Sequence, residues 1–110
     1  MAPKAYLGEF EQMVLLAILQ GGEDANALQV RRELEESAGR SVTKGAFYTT
    51  LDRLERKAYL TWEARVPREG RNGLPQRHFR VTPQGIDELR KSRAALQNLW
   101  RGLDAVLGTP

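Results

Sequence analysis

The chain of 110 residues contains no cysteine and a single histidine, and these two scarcities remove much chemistry at once. Without thiols there is no thiolate nucleophile and no cysteine-ligated metal, and the composition fits a reducing compartment. The lone His78 has no second histidine and no carboxylate at metal-ligand spacing, so it reads as a surface residue or a phosphate contact. No apolar run approaches the roughly 18 residues that a membrane span needs. Met1-Ala2-Pro3-Lys4 lacks the basic-then-apolar order of a signal peptide, so a cytoplasmic location with no membrane partner is expected. There is no phosphate-binding glycine motif and no paired acid and base, so the chain is expected not to be an enzyme and to need no cofactor or metal. Internal repeats and low-complexity segments are also missing.

What is present fits one small domain. With 41% hydrophobic residues the chain can bury a single core without disulfides or metal. The net charge of +3 is unevenly spread. Residues 1–42 carry 4 basic and 7 acidic groups, residues 43–80 carry 9 and 4, and residues 81–110 carry 4 and 3. Positive charge is thus focused on the middle of the chain, where contact with a polyanion would release the most counterions.

Periodicity supplies the elements. Phe10, Met13, Val14, Ala17 and Ile18 form one helical face, and Leu15, Leu16 and Leu19 add apolar bulk on the others, so the first helix is expected to be buried on several sides, partly by a partner subunit. Gly21-Gly22 stops it. Asp24 or Asn26 can cap a second helix, in which Ala27, Val30, Leu34 and Ala38 face inward and Gly39 is the stop. Thr43 caps a third helix. At about 100° per residue, Phe47, Leu51, Leu54 and Ala58 share its apolar side, while Gly45, Thr49, Asp52 and Arg56 point away, flanked by Tyr48 and Arg53. A helix anchored on one side and cationic on the other is shaped to read a groove.

An alternating strand follows, with Leu60, Trp62, Ala64 and Val66 on a core face, then a loop from Pro67 to Pro75, then a return strand in which Arg77, Phe79 and Val81 alternate with His78, Arg80 and Thr82. Thr82-Pro83 opens a last helix, expected over about 83–107. Its heptad seam holds Ile86, Arg93, Trp100 and Leu107 at one position and Leu89, Leu96 and Leu103 at the other, widened by Leu99 and Val106. A helix that follows a finished domain has no core of its own to cover, so its apolar face is expected to pack on a second chain. The fold class is therefore mostly α with a small β-hairpin (α+β), a winged helix-turn-helix with a long C-terminal dimerisation helix. Residues 1–82 are expected to form a DNA-binding domain and 83–110 the dimerisation helix. Phe10, Val14, Ile86, Leu89, Leu96, Leu99, Trp100, Leu103 and Leu107 are the expected partner-facing residues.

Several segments together resemble the PadR family of bacterial transcriptional regulators: Leu7-Gly8, the run Val42 to Glu55, the run Gly73 to Thr82, and Gly85. The most specific element is a Gly-x-x-Tyr-x-x-Leu-x-x-Leu-Glu pattern leading into an Arg-x-Phe-x-Val-Thr hairpin. A single C-terminal helix is similar to the short PadR subfamily, and the resemblance implies a homodimeric repressor, with sensing of drugs or aromatic compounds known among its members. The chain departs from the family pattern at Ala27-Leu28, where a Gly-Tyr pair is common, at Ala58, where glycine is common, and at His78-Phe79, where an aromatic pair is common.

Resemblance and geometry point to the same contacts with double-stranded DNA. Thr43, Lys44 and Gly45 open the reading helix where its free amides can meet a phosphate, although Gly45 is equally well a tolerated first-turn glycine. Tyr48, Thr49, Arg53 and Arg56 can reach base edges or backbone, and Tyr48 can instead pack its ring on the second helix. Arg65, Arg68, Arg71, Asn72 and Arg77 make a cationic wing for a narrow minor groove, unless they are solvated loop charges. Asp52 would repel phosphate, so it is expected to pair with Arg53 or Arg56, the other reading being acceptance from a cytosine amino group. Trp62 reads as core. Trp100, with Leu96 beside it, is either seam core or the wall of a site for a small aromatic or cationic effector. The competing function is a protein-interaction or scaffold module that uses the winged fold without nucleic acid.

Overall fold

The computed structural model describes residues 6–66 and 74–108. Its elements run α1 (Glu9–Gly21), a 3-10 turn (Gly22–Asp24), α2 (Ala27–Ala38), α3 (Lys44–Arg56), β1 (Leu60–Arg65), β2 (Gln76–Val81), α4 (Pro83–Trp100) and α5 (Asp104–Leu107). Helix starts fall where side chains can take up the unpaired amides of a first turn. Asn26, Thr43 and Thr82 accept from the amides of Gln29, Ala46 and Gly85 at 2.9, 3.2 and 3.0 Å, each cap contributing about 1 kcal/mol. Gly22 ends α1, and Gly39, left-handed at φ 61°, ends α2.

Three helices and the hairpin meet in one core. Val14, Leu15 and Ile18 of α1, Val30 and Leu34 of α2, and Phe47, Leu51 and Leu54 of α3 close on Leu60, Phe79 and Val81 of the hairpin. Burial of each such side chain stabilises by about 1.5–3 kcal/mol. The strands are antiparallel with Leu60 opposite Val81 and Trp62 opposite Phe79. The α1–α2 connection joins this sheet, because the Phe79 amide donates to the Ala25 carbonyl at 2.9 Å and Asn26 bridges to His78.

Two corners are locked together. At the end of α3, Ala58 takes a left-handed conformation, φ 66°, before the chain enters β1. The Thr82 hydroxyl donates to the Ala58 carbonyl at 2.6 Å and the Thr82 amide donates to the Tyr59 carbonyl at 3.1 Å. Gly85 then passes so near that same carbonyl that a Cβ added to it would lie 2.3 Å from the Tyr59 oxygen. Only glycine lets α4 begin there.

The structure corrects several expectations. Of the strand face Leu60, Trp62, Ala64 and Val66, only Leu60 is core. Trp62 is 39% exposed and Val66 63% exposed, because the hairpin runs out past the helices after the level of Phe79. Ala38 is exposed, and Ala58 lies beyond the helix on no apolar stripe. Val14 is wholly inside its own domain, 0% exposed, and has no surface to offer a partner. The last helix does not reach Leu107. It stops at Trp100, and Gly102 at φ 76° turns the chain before the short α5. The heptad frame ran through this break because apolar spacing continues on both sides of the glycine.

Two substitutions test the corners. Gly85→Ala should lower stability to urea by about 1–3 kcal/mol through overpacking against the Tyr59 carbonyl. Ala58→Gly should raise it by about 0.5–1 kcal/mol by relieving the left-handed alanine. Equal midpoints for Gly85→Ala and the parent chain would show that α4 is not seated on that carbonyl.

Candidate nucleic-acid interface

The third helix presents two unlike faces. Phe47, Thr50, Leu51 and Leu54 are buried, with the Thr50 hydroxyl turned back to the Ala46 carbonyl at 2.9 Å. Gly45, Thr49, Asp52 and Arg56 are exposed on the opposite side, flanked by Arg53, and Lys44 is exposed in the first turn. The amides of Lys44 and Gly45 sit at the positive end of the helix dipole with no acceptor inside the helix. Nothing within 4 Å would meet a Cβ at Gly45, so the fold of this chain alone does not require glycine there.

Both ends of α3 are held. At its start, Arg31 of α2 donates to the Val42 carbonyl at 3.3 Å and lies 6.0 Å from the centre of the Phe47 ring. Past its end, Lys57 reaches back to the nearly buried Glu11 of α1 at 3.0 Å, and Glu11 also accepts from the Gly8 amide at 3.1 Å. Burial disfavours the Glu11 carboxylate. The Lys57 hydrogen bond, the Gly8 amide and the charges of Lys57 and Arg53 outweigh that effect and hold its pKa below the ordinary 4.5. None of this was read from the sequence. The one available signal was Glu11 standing three residues after Gly8, half of a capping box.

The hairpin divides the expected wing residues between its faces. Arg77 shares the face of Trp62 and Phe79, and its guanidinium stacks on the Trp62 ring at 4.3 Å. That face turns toward α3, since Arg77 and Tyr48 line one cleft with Leu28 at the start of α2. Tyr48 is half-buried and meets Phe47 edge-on at 5.5 Å, so its ring leans on the core. Arg65 stands on the other face. It donates to the Glu63 carboxylate at 2.8 Å and to the Glu23 carbonyl at 3.2 Å. The hydrogen bond from Arg65, then its charge, lowers the pKa of Glu63. His78, expected at the surface or on a phosphate, is half-buried and donates from Nδ1 to the Glu23 carbonyl at 2.9 Å. Arg65 and His78 therefore tie the hairpin to the α1–α2 connection. Arg68, Arg71 and Asn72 lie outside the described residues.

The expected pairing of Asp52 does not form. Among the described residues it makes no ion pair with Arg53 or Arg56, whereas Lys91 on α4 pairs with both Asp87 and Glu88. Lys44, Arg53 and Arg56 are likewise in no ion pair among the described residues. Also among these residues, no three or more His, Asp or Glu side chains gather where they could hold a metal ion, and no helix is long and apolar enough to cross a membrane.

The third helix, the adjoining hairpin and the joint between them occupy the segment matched by a family model described as "Transcriptional regulator PadR-like family", which covers residues 15–91. The chain belongs to this PadR-like family. No curated protein matches it. Among solved structures it is similar to a PadR-like transcription factor from Bacteroides fragilis, at 25% identity and a TM-score of 0.69, over 88% of each chain. A PadR-like transcriptional regulator from Bacillus cereus strain ATCC 14579 has the same fold at 16% identity and a TM-score of 0.70, over 92% of this chain and 93% of that one. A PadR family transcription regulator from Clostridium difficile R20291 does too, at 18% identity and a TM-score of 0.67, over 90% and 99%.

In this PadR-like regulator the Glu11–Lys57 contact should be measurable through pH. A carboxylate whose pKa is lowered by folding adds stability above its unfolded value near 4.5, and that stability is lost as pH falls through the folded value. Glu11→Gln should therefore cost about 1–2 kcal/mol in urea denaturation at pH 7. The gap to the parent chain should close as pH drops below 4.5; a gap that is independent of pH would rule out the ionised contact.

Proposed function

We propose that this transcriptional regulator acts as a homodimeric repressor that places α3 in the major groove of an inverted-repeat operator. The observation that carries this reading is the exposed face of α3. Its Lys44, Arg53 and Arg56 are in no ion pair among the described residues, and they adjoin a hairpin whose Arg77 is stiffened by stacking on Trp62. Cations not held in an ion pair are available to phosphate and to guanine. Thr43, Lys44 and Gly45 then meet the backbone, Thr49, Arg53 and Arg56 face the base edges, and Tyr48 with Arg77 flanks the groove. Two reading helices related by a dyad address half-sites about 34 Å apart.

The tail supports a second copy as the partner. Ile86 and Leu89 lean on the core of their own domain, but beyond Ser92 none of the described residues is buried. Leu96, Leu99 and Trp100 are 51%, 74% and 55% exposed, and Leu103 and Leu107 of the following turn continue the patch. So many large apolar side chains exposed along one segment suit a contact surface in a regulator that must present two reading helices. Phe10 joins it less directly, since Arg40 covers its ring at 5.2 Å. In the dimer, Trp100 and Leu96 would wall a site for a flat aromatic or cationic effector that weakens DNA binding, and the regulator would work in the cytoplasm.

Titration of labelled duplex from the gene's own upstream region gives the direct test. The parent chain should bind it, and Arg53→Ala with Arg56→Ala should weaken binding at least about 10-fold, a discrimination of the size of one good base contact. No complex with any promoter fragment at low salt would reject the proposal. Sedimentation should show a dimer that Leu99→Asp converts to monomer. Planar aromatic cations should quench tryptophan fluorescence in the parent chain but not in Trp100→Ala, where Trp62 remains as the control; equal affinity in both would place the effector elsewhere.

A further inference from the structure

One residue on the reading face works against everything around it. Asp52 lies at the centre of the exposed side of α3, one turn after Thr49 and one turn before Arg56. Aspartate is a poor residue for a helix interior, and it caps nothing there. It stands in the C-terminal half of α3, where the helix dipole disfavours an anion. A carboxylate on a face that approaches phosphate is repelled by it. Arg56, at the i,i+4 spacing that allows a helical ion pair, does not offset these costs, although Lys91 takes two such partners on α4. Within the described residues the carboxylate has three reasons to be absent and no compensating donor.

We propose that Asp52 is a specificity-determining residue whose carboxylate accepts a hydrogen bond from the exocyclic amino group of a cytosine in the major groove. This rests on the DNA-binding reading and adds to it the identity of one base pair. The donor and acceptor code of the groove selects the base. Guanine offers acceptors at N7 and O6, and thymine offers O4, all of which repel a carboxylate. Adenine places its N7 acceptor beside its amino donor. Cytosine alone shows a donor with no neighbouring acceptor on its own edge. At a helical rise of about 1.5 Å per residue, Thr49 and Arg56 lie roughly 4.5 and 6 Å along the axis from Asp52, so each faces a neighbouring base step while Asp52 faces its own. Asp52 thereby acts chiefly by excluding wrong sequences, since a site without the cytosine leaves an unpaired anion against the duplex.

The test is selection of binding sites from a random duplex library by the full-length parent chain, by Asp52→Ala and by Asp52→Asn. Each half-site selected by the parent should hold one fixed C·G pair, and changing that cytosine to thymine should weaken binding by about 5- to 150-fold. Asp52→Ala should lose that preference, keep the others and bind unselected duplex more tightly. Asp52→Asn should shift the same position toward adenine, whose N6 and N7 suit an amide. Identical selected sequences for the parent and Asp52→Ala would overturn the role of Asp52 while leaving DNA binding intact. No enrichment by the parent chain would overturn both.

Discussion

The arrangement of this regulator depends on a few hydrogen bonds where two corners of the chain meet. Thr82, at the end of the hairpin, donates its hydroxyl to Ala58 and its amide to Tyr59, the residues between the reading helix and the hairpin. The same threonine caps α4 through the Gly85 amide. One residue thus fixes the angle between α3, the hairpin and the tail. Gly85 sets how close they come, since any side chain there would meet the Tyr59 carbonyl. If dimerisation is carried by α4 and DNA contact by α3, this corner is where the spacing of two reading helices would be decided.

Charge is sorted by the fold more sharply than by the chain. The middle third of the sequence is basic as a whole, yet its cations have separate tasks. Lys57 is used to hold the end of α3 to Glu11, and Arg65 is neutralised by Glu63 and tied to Glu23. Arg77 stacks on Trp62. What remains exposed on α3 is Lys44, Arg53 and Arg56, with Asp52 among them. The family assignment makes this economy intelligible: a regulator gains affinity from the few cations it leaves free, and gains rigidity from those it pairs internally.

Much of the fold was legible in the sequence because it is governed by neighbours a few residues apart. The caps at Asn26, Thr43 and Thr82, the stops at Gly22 and Gly39, and the buried stripe Phe47, Leu51 and Leu54 follow from local hydrogen bonding and a period of 3.6. Alternation placed Trp62 correctly on the same face as Leu60 but could not tell how far the core extends beneath that face. The seam through Leu96, Trp100 and Leu103 was visible as a pattern, whereas its interruption at Gly102 was hidden by the continuing pattern.

Of the candidate site, the sequence by itself determined which residues share the exposed face of α3, because helix geometry is local and one side of it is plainly apolar. It determined equally that the hairpin would follow and that the tail would carry surplus apolar surface. Only the tertiary structure decided that Arg65 is tied to Glu23 while Arg77 stacks on Trp62, and that Glu11 anchors Lys57 across 46 residues. Those outcomes depend on distances between elements far apart in the chain, and such distances are set by how the core packs, which no local spacing encodes.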